Sequence, residues 1–160
     1  MKLQSNLLAL AALAVVGTAV AASAHYVRGP NAALNSPSVT VTWKAAGLGD
    51  TVLVEYRADA VANARYQCVN HGNNCPAASN KQSLTGNVSA YGAFASGKNG
   101  SITGSLTMDP PASTLNCPGS QHAALVSVSY SNIRLSDLTN NVLDFATIPT
   151  ALAFSGPECP

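Results

Sequence analysis

Three histidines, four cysteines and seven acidic residues are the groups in this chain with chemistry to offer. His25 is the sharpest of them. It follows Ala22-Ser23-Ala24, a small-residue motif of the kind at which export leaders are cut. Cleavage after Ala24 makes His25 the first residue of the mature chain and sets a free α-amine beside its imidazole. Those two nitrogens chelate Cu(II). A second imidazole, from His71 or His122, would complete a T-shaped site, with Tyr26, Tyr130 or Phe145 as the axial group. Nitrogen-rich tetragonal geometry selects copper over zinc or magnesium. The metal expectation is therefore His25, His71 and His122 around copper.

The carboxylates make a weaker case for catalysis. Asp50, Glu55, Asp59, Asp109, Asp137, Asp144 and Glu158 would have to supply any acid–base pair for glycoside hydrolysis. Most stand beside turns, where Asp serves local hydrogen bonding. Asp144 alone sits inside an apolar run, Val142-Leu143-Asp144-Phe145, and strand alternation turns it to the solvent face. No G-x-S-x-G elbow occurs: Gly100-Ser101-Ile102-Thr103-Gly104 has the outer glycines but Ile at its centre. No D-x-D-x-D-G calcium loop occurs either. No catalytic residue is assigned, and a small secreted hydrolase stands as the last of three functional readings.

The cysteines are read through the compartment. Residues 1–24 have the form of a signal peptide, with Lys2, an apolar run from Leu7 to Val16 and the cleavage motif. That run is too short to span about 30 Å of hydrocarbon as a helix. The expectation is a secreted or periplasmic product, residues 25–160, with no transmembrane segment. In an oxidising compartment Cys68, Cys75, Cys117 and Cys159 form two disulfides. Of three connectivities, Cys68–Cys117 with Cys75–Cys159 is favoured, since the first ties the middle of the strand region to a later loop. Closing that segment contributes about 4 kcal/mol in the chain-entropy model. Cys68–Cys75 with Cys117–Cys159 is the local alternative. No C-x2-C pair supports zinc.

Composition removes other classes. Without the leader the chain has seven basic and seven acidic residues, which excludes the basic stripe of a nucleic-acid binder. Collagen-like, coiled-coil and charge-rich disordered chains are excluded too. Solubility is left to Ser, Thr and Asn.

The elements that must position these residues are strands. Val39, Val41 and Trp43 alternate with Thr40, Thr42 and Lys44, the period of a half-buried strand. The same pattern runs through Val52 to Arg57, Ala62 to Cys68, Val88 to Phe94, Ile102 to Met108 and Val126 to Tyr130. Beyond Tyr130 a bulge is expected at Ser131-Asn132 before Ile133 and Leu135. Val142 to Ile148 and Thr150 to Phe154 complete the count. Asn99-Gly100 predicts a type I′ hairpin joining the strands on either side. Asn70–Gln82 and Asp109–Gln121 are long loops. Asn87-Val88-Ser89 and Asn99-Gly100-Ser101 match N-glycosylation acceptors. Seven or eight short strands in one domain predict an all-β, antiparallel, immunoglobulin-like β-sandwich. The resemblance to immunoglobulin is architectural only, because Trp43 precedes every cysteine.

Three stretches resemble a group of short exported bacterial β-rich proteins: His25-Tyr26-Val27 with Gly29-Pro30, Ala46-Gly47-Leu48-Gly49, and Tyr66-Gln67-Cys68-Val69-Asn70 leading to Asn80-Lys81. The resemblance implies a secreted β domain and brings no activity, substrate or cofactor with it. Separately, His25 with Pro30 is similar to the opening of β-sandwich lytic polysaccharide monooxygenases, and small periplasmic copper carriers use the same histidine brace. This chain departs from the oxygenases in its short mature length and its 6% aromatic content, too little for a flat stacking face.

The leading expectation is a non-enzymatic surface, matrix or binding module, with the copper-binding protein second. Long, weakly charged Thr/Ser strands leave sheet edges poorly guarded. Self-association, or docking of a protein partner by strand addition, follows.

Overall fold

The computed structural model describes residues 23–77, 79–140 and 142–160. The leader expected at 1–24 therefore lies almost wholly outside the described residues, as do the side chains of Asp144 and Phe145. Among the described residues eight strands form two antiparallel sheets packed as a sandwich. The small sheet has the order β1 (His25–Asn35), β2 (Ser38–Ala46), β5 (Ile102–Met108). The large sheet has β4 (Lys81–Ala95), β3 (Leu53–Val69) and β6 (His122–Asp137) side by side. The far edge of β6 is shared by β7 (Val142–Ala146), opposite Arg134 to Asp137, and β8 (Leu152–Ser155), opposite Ser127 to Tyr130.

Alternation explains which side of each strand faces in. Val39, Val41 and Trp43 of β2 meet Val54 and Tyr56 of β3 and Ile133 and Leu135 of β6 in one core. Between them runs the stripe Ala58, Ala60, Ala62 and Ala64, all buried. At one end the rings of Trp43, Tyr56 and Phe94 pack together, with Trp43 4.8 Å from Tyr56 and 5.2 Å from Phe94 between centroids. Each such aromatic pair adds about 0.5–1.5 kcal/mol to its burial.

Three expectations need correction. The segments expected at Val52–Arg57 and Ala62–Cys68 merge into one strand, β3, which starts at Leu53, because Ala58 and Ala60 continue its inward face. Asn99-Gly100 is not a hairpin turn: β4 and β5 lie in different sheets, and β5 pairs with β2. Only Gly100 of the two has a positive φ, whereas a type I′ turn needs both. The turn instead crosses between sheets, with Gly100 accepting from the Leu48 amide. Finally, the loop expected at Asn70–Gln82 is shorter, because Lys81 and Gln82 already belong to β4; the loop expected to end at Gln121 does so, and His122 opens β6 opposite Val69. The expected bulge is present, since Asp59 faces Arg134 while Val61 faces Ser131, one residue out of step. Asn132 there has φ 53°, a left-handed conformation that Asn tolerates better than most residues.

The large sheet outruns the small one. Cys68 on its inner face bonds Cys117, and Cys75 bonds Cys159, the pairing favoured from the sequence. The 109–117 segment is held to the inner face by Tyr66 donating to the Pro111 carbonyl at 2.6 Å. The C-terminal segment is held to the outer face, where buried Gln67 accepts from the Cys159 amide at 2.8 Å. Glu158 meets both Arg65 and Lys81 there, and their hydrogen bonds hold its carboxyl below the usual range.

Two measurements check this core. Gly104 faces Trp43 so closely that a Cβ would be driven into the indole. Gly104→Ala should lower unfolding free energy in urea by about 1–3 kcal/mol, the usual range for overpacking. Burial raises the phenols of Tyr56 and Tyr130 to about 12, with Asp137 and Asp109 respectively adding to the effect. In the unfolded chain they ionise near pH 10. Their contribution is thus complete below about pH 10 and is lost as pH rises toward about 12. Urea midpoints taken from about pH 8 to about pH 11 should fall only in the upper part of that range.

Candidate functional site

The three histidines do not converge. His25 pairs with Ala46 at the end of the sandwich where Leu48 meets Gly100, and its Nδ1 donates to the Ser23 carbonyl at 2.8 Å. His122 lies opposite Val69, the last residue of β3, and its Nε2 is 3.3 Å from Asn73 Oδ1. His71 belongs to the short 3-10 turn His71–Asn73 beside it. The 17 residues of β3 separate the two ends, on the order of 50 Å at about 3.3 Å per residue. Tyr26 lies at the His25 end, and Tyr130 donates to the Pro37 carbonyl at mid-sheet. Among the described residues no three His, Cys, Asp or Glu side chains group around a metal-sized space. The donor set expected for copper does not fit.

The acids are dispersed and locally engaged. Asp59 holds Arg57 at 3.2 Å, Asp109 accepts from Ser38 at 2.6 Å, and Asp50 accepts from Thr51 at 2.7 Å. Asp137 accepts from the Thr139 and Asn140 amides at 3.0 and 2.9 Å. Asp50 and Asp137 thus serve the local turn roles that Asp favours, and Asp59 an ion pair.

What the fold does present is the outer edge of β4. Its 15 residues pair with β3 on one side, and no strand among the described residues pairs with the other. The register fixes which backbone groups are left over. Cys68 donates to the Asn80 carbonyl and Ser96 to the Val52 carbonyl, so the narrow hydrogen-bonded pairs of this ladder fall at even positions along β4. The odd positions Ser83, Thr85, Asn87, Ser89, Tyr91 and Ala93 therefore aim their N–H and C=O groups away from β3. Their side chains lie on the exposed outer face. At the Lys81 end the edge meets the 109–117 segment, where Gln82 bonds Ser113 and Thr114. From Ser83 to Ala93 it is open.

Natural edges are blunted by charge, proline, bulges or shortness. β4 has little of this: its one charge, Lys81, stands at its end, it has no proline, its register with β3 is unbroken, and among the described strands only β3 and β6 are longer. Sequence reading placed this strand from Val88 onward and missed Lys81 to Asn87. The alternation Gln82, Leu84, Gly86 against Ser83, Thr85, Asn87 was present, but weakly apolar, because Gly and Gln replace large hydrophobes on the inward side.

The molecule is thus an all-β protein of two antiparallel sheets with two disulfides. Comparison with known proteins returns no match to a family model, a curated protein or a solved structure. Among the described residues no helix is long and apolar enough to cross a membrane.

The separation of the histidines has a direct test. In Cu(II) titrations followed by electron paramagnetic resonance, His71→Ala and His122→Ala should leave any signal involving His25 unchanged. A shared signal lost in either variant would show that the ends come together.

Proposed function

We propose that this protein is a secreted, non-enzymatic β-sandwich that works as a surface or matrix module and associates with a second copy of itself along β4. The unpaired backbone row from Ser83 to Ala93 carries the proposal. An antiparallel pair centred on Asn87 sets Ser83 against Tyr91 and Thr85 against Ser89, so every contact across the seam is uncharged. Like charges directly opposite would repel, and β4 offers none in this register. The symmetry is two-fold and the surfaces are identical, the commonest form of oligomer. Main-chain hydrogen bonds supply the affinity.

Secretion is supported by the two disulfides, which persist in oxidising compartments. An immunoglobulin-like layering is supported by the tryptophan on β2 packed between the sheets. The non-enzymatic reading rests on carboxylates that serve turns and ion pairs.

Sedimentation velocity over a concentration series tests the association. The wild type should pass from monomer to dimer. Thr85→Pro removes an outward N–H without breaking the β3 ladder, a placement edge strands accept, and should remain monomeric. Thr85→Val keeps the N–H and should dimerise. A wild type that stays monomeric throughout, or a Thr85→Pro variant that associates equally well, overturns the proposal.

A further inference from the structure

The outer face of the small sheet carries a groove of about 360 Å³ that pairing along β4 leaves untouched. Arg28 of β1, Lys44 of β2 and Thr103 of β5 line it from a single row, since Lys44 is the register partner of both others. Asn31 and Thr42, partners in a neighbouring row, line it too, and all five are exposed. β1 reaches this arrangement by giving up a regular ladder. Its register with β2 shifts between Tyr26 and Arg28, and again between Arg28 and Asn31. Tyr26 pairs with Ala45, so an unbroken register would set Val27 against Lys44; the extra residue sets Arg28 there instead. Bulges re-aim side chains in this way and concentrate beside functional sites. Gly29 permits the second shift: it has φ 74°, and a Cβ on it would lie 2.9 Å from both the Thr42 carbonyl oxygen and the Asn31 amide nitrogen.

The residue so placed works against the fold. Cα atoms directly across an antiparallel ladder are about 4.5 to 5.5 Å apart, and like charges at such positions repel. No acid among the described residues lines the groove to offset Arg28 and Lys44. Arg57, Arg65 and Lys81 each have a carboxylate partner, whereas among the described residues Arg28 and Lys44 have none. The acids nearest in sequence to β2 and β5 are engaged elsewhere: Asp109 accepts from Ser38 at the other end of β2, and Asp50 from Thr51. Two cations without a counter-charge thus stand side by side, among hydroxyl and amide groups, at a strand irregularity that a plain sheet would not need.

We propose that this groove binds the phosphate group of a small, polar phosphate monoester, held between Arg28 and Lys44. A phosphoryl group carries about −1.5 to −2 charges near neutral pH, which matches the two cations. Its oxygens accept from several directions at once, and the groove offers donors of four kinds: a guanidinium, an ammonium, two threonine hydroxyls and an amide. A planar carboxylate would engage the guanidinium fork and leave the ammonium, which serves phosphate as a point charge, with less to do. Trp43 contributes to the lining but is buried in the core, so no exposed ring is present to stack a base. The remaining lining is Thr and Asn, which suits a hydroxyl-bearing ester and offers no seat for an acyl chain. Bound phosphate relieves the repulsion between Arg28 and Lys44, so ligand and fold stabilise each other. The site lies on the sheet that β4 does not belong to, and binding is independent of pairing there.

The test is an amide NMR titration of the purified disulfide-bonded protein with glycerol phosphate. Acetate, inorganic phosphate and vesicles containing phosphatidate serve as comparison ligands. Saturable shifts should centre on Arg28, Lys44 and Thr103, and Arg28→Gln and Lys44→Gln should each weaken binding by about tenfold or more. In urea, glycerol phosphate should raise the wild-type midpoint, as any ligand of the folded state does. Without phosphate, Lys44→Gln should keep or raise that midpoint, which separates loss of binding from loss of fold. Thr85→Pro should bind like the wild type whether or not the wild type dimerises. Shifts centred elsewhere, no saturation, acetate binding as tightly as glycerol phosphate, or both glutamine variants binding like the wild type would overturn the proposal. A lowered Lys44→Gln midpoint would overturn the repulsion on which it rests. Inorganic phosphate binding as tightly as the ester, or binding seen with phosphatidate vesicles alone, would overturn the soluble ester as the source of the phosphate.

Discussion

The structure turns on a mismatch of length. β3, β4 and β6 have 17, 15 and 16 residues, whereas β2 and β5 of the facing sheet have 9 and 7. A sheet face without a partner exposes its apolar side to water, at roughly 25 cal/mol for each Å² left uncovered. The overhang must therefore be clad by chain with no regular structure of its own. The 109–117 segment clads the inner face and the C-terminal segment the outer, and one disulfide anchors each. In the chain-entropy model, bonds spanning 49 and 84 residues contribute about 4 to 5 kcal/mol apiece. That is the scale needed to hold irregular segments against their conformational entropy.

The alanine stripe of β3 belongs to the same economy of packing. Small side chains at Ala58, Ala60, Ala62 and Ala64 make little core by volume. The bulk comes from the other strands and from the Trp43, Tyr56 and Phe94 cluster at one end. Gly104 makes room for that cluster, since the indole occupies the space its Cβ would need. The phenol of Tyr56 is drawn into the interior with it, which is why its ionisation is postponed.

The sequence was readable where alternation is strong and large. β2, β5 and the middle of β6 stand out because Val, Ile, Leu, Met and Trp mark every second position. The Ser131-Asn132 bulge was legible from a break in that period. β1 was missed because Gly29 and Pro30 interrupt it and its inward residues are few. The partner of β5 was misassigned because a turn dipeptide reports a reversal of the chain and not which sheet receives it. Histidine chemistry was read from residue type alone, and a single dimension of sequence does not reveal that His25 and His122 are at opposite ends of a 17-residue strand.

The interrupted far edge of β6 bears on how large an assembly can grow. On that side the sheet ends in two short strands with a break between them, and Ile148 within the break bridges to Asn31 of β1. The two sheets are stitched together there, so no straight template is left for another chain. Among the described residues β4 and β5 terminate their sheets on the opposite side. Were two copies to meet along β4 as proposed, they would satisfy each other there, and any further growth would have to start from the short seven-residue β5.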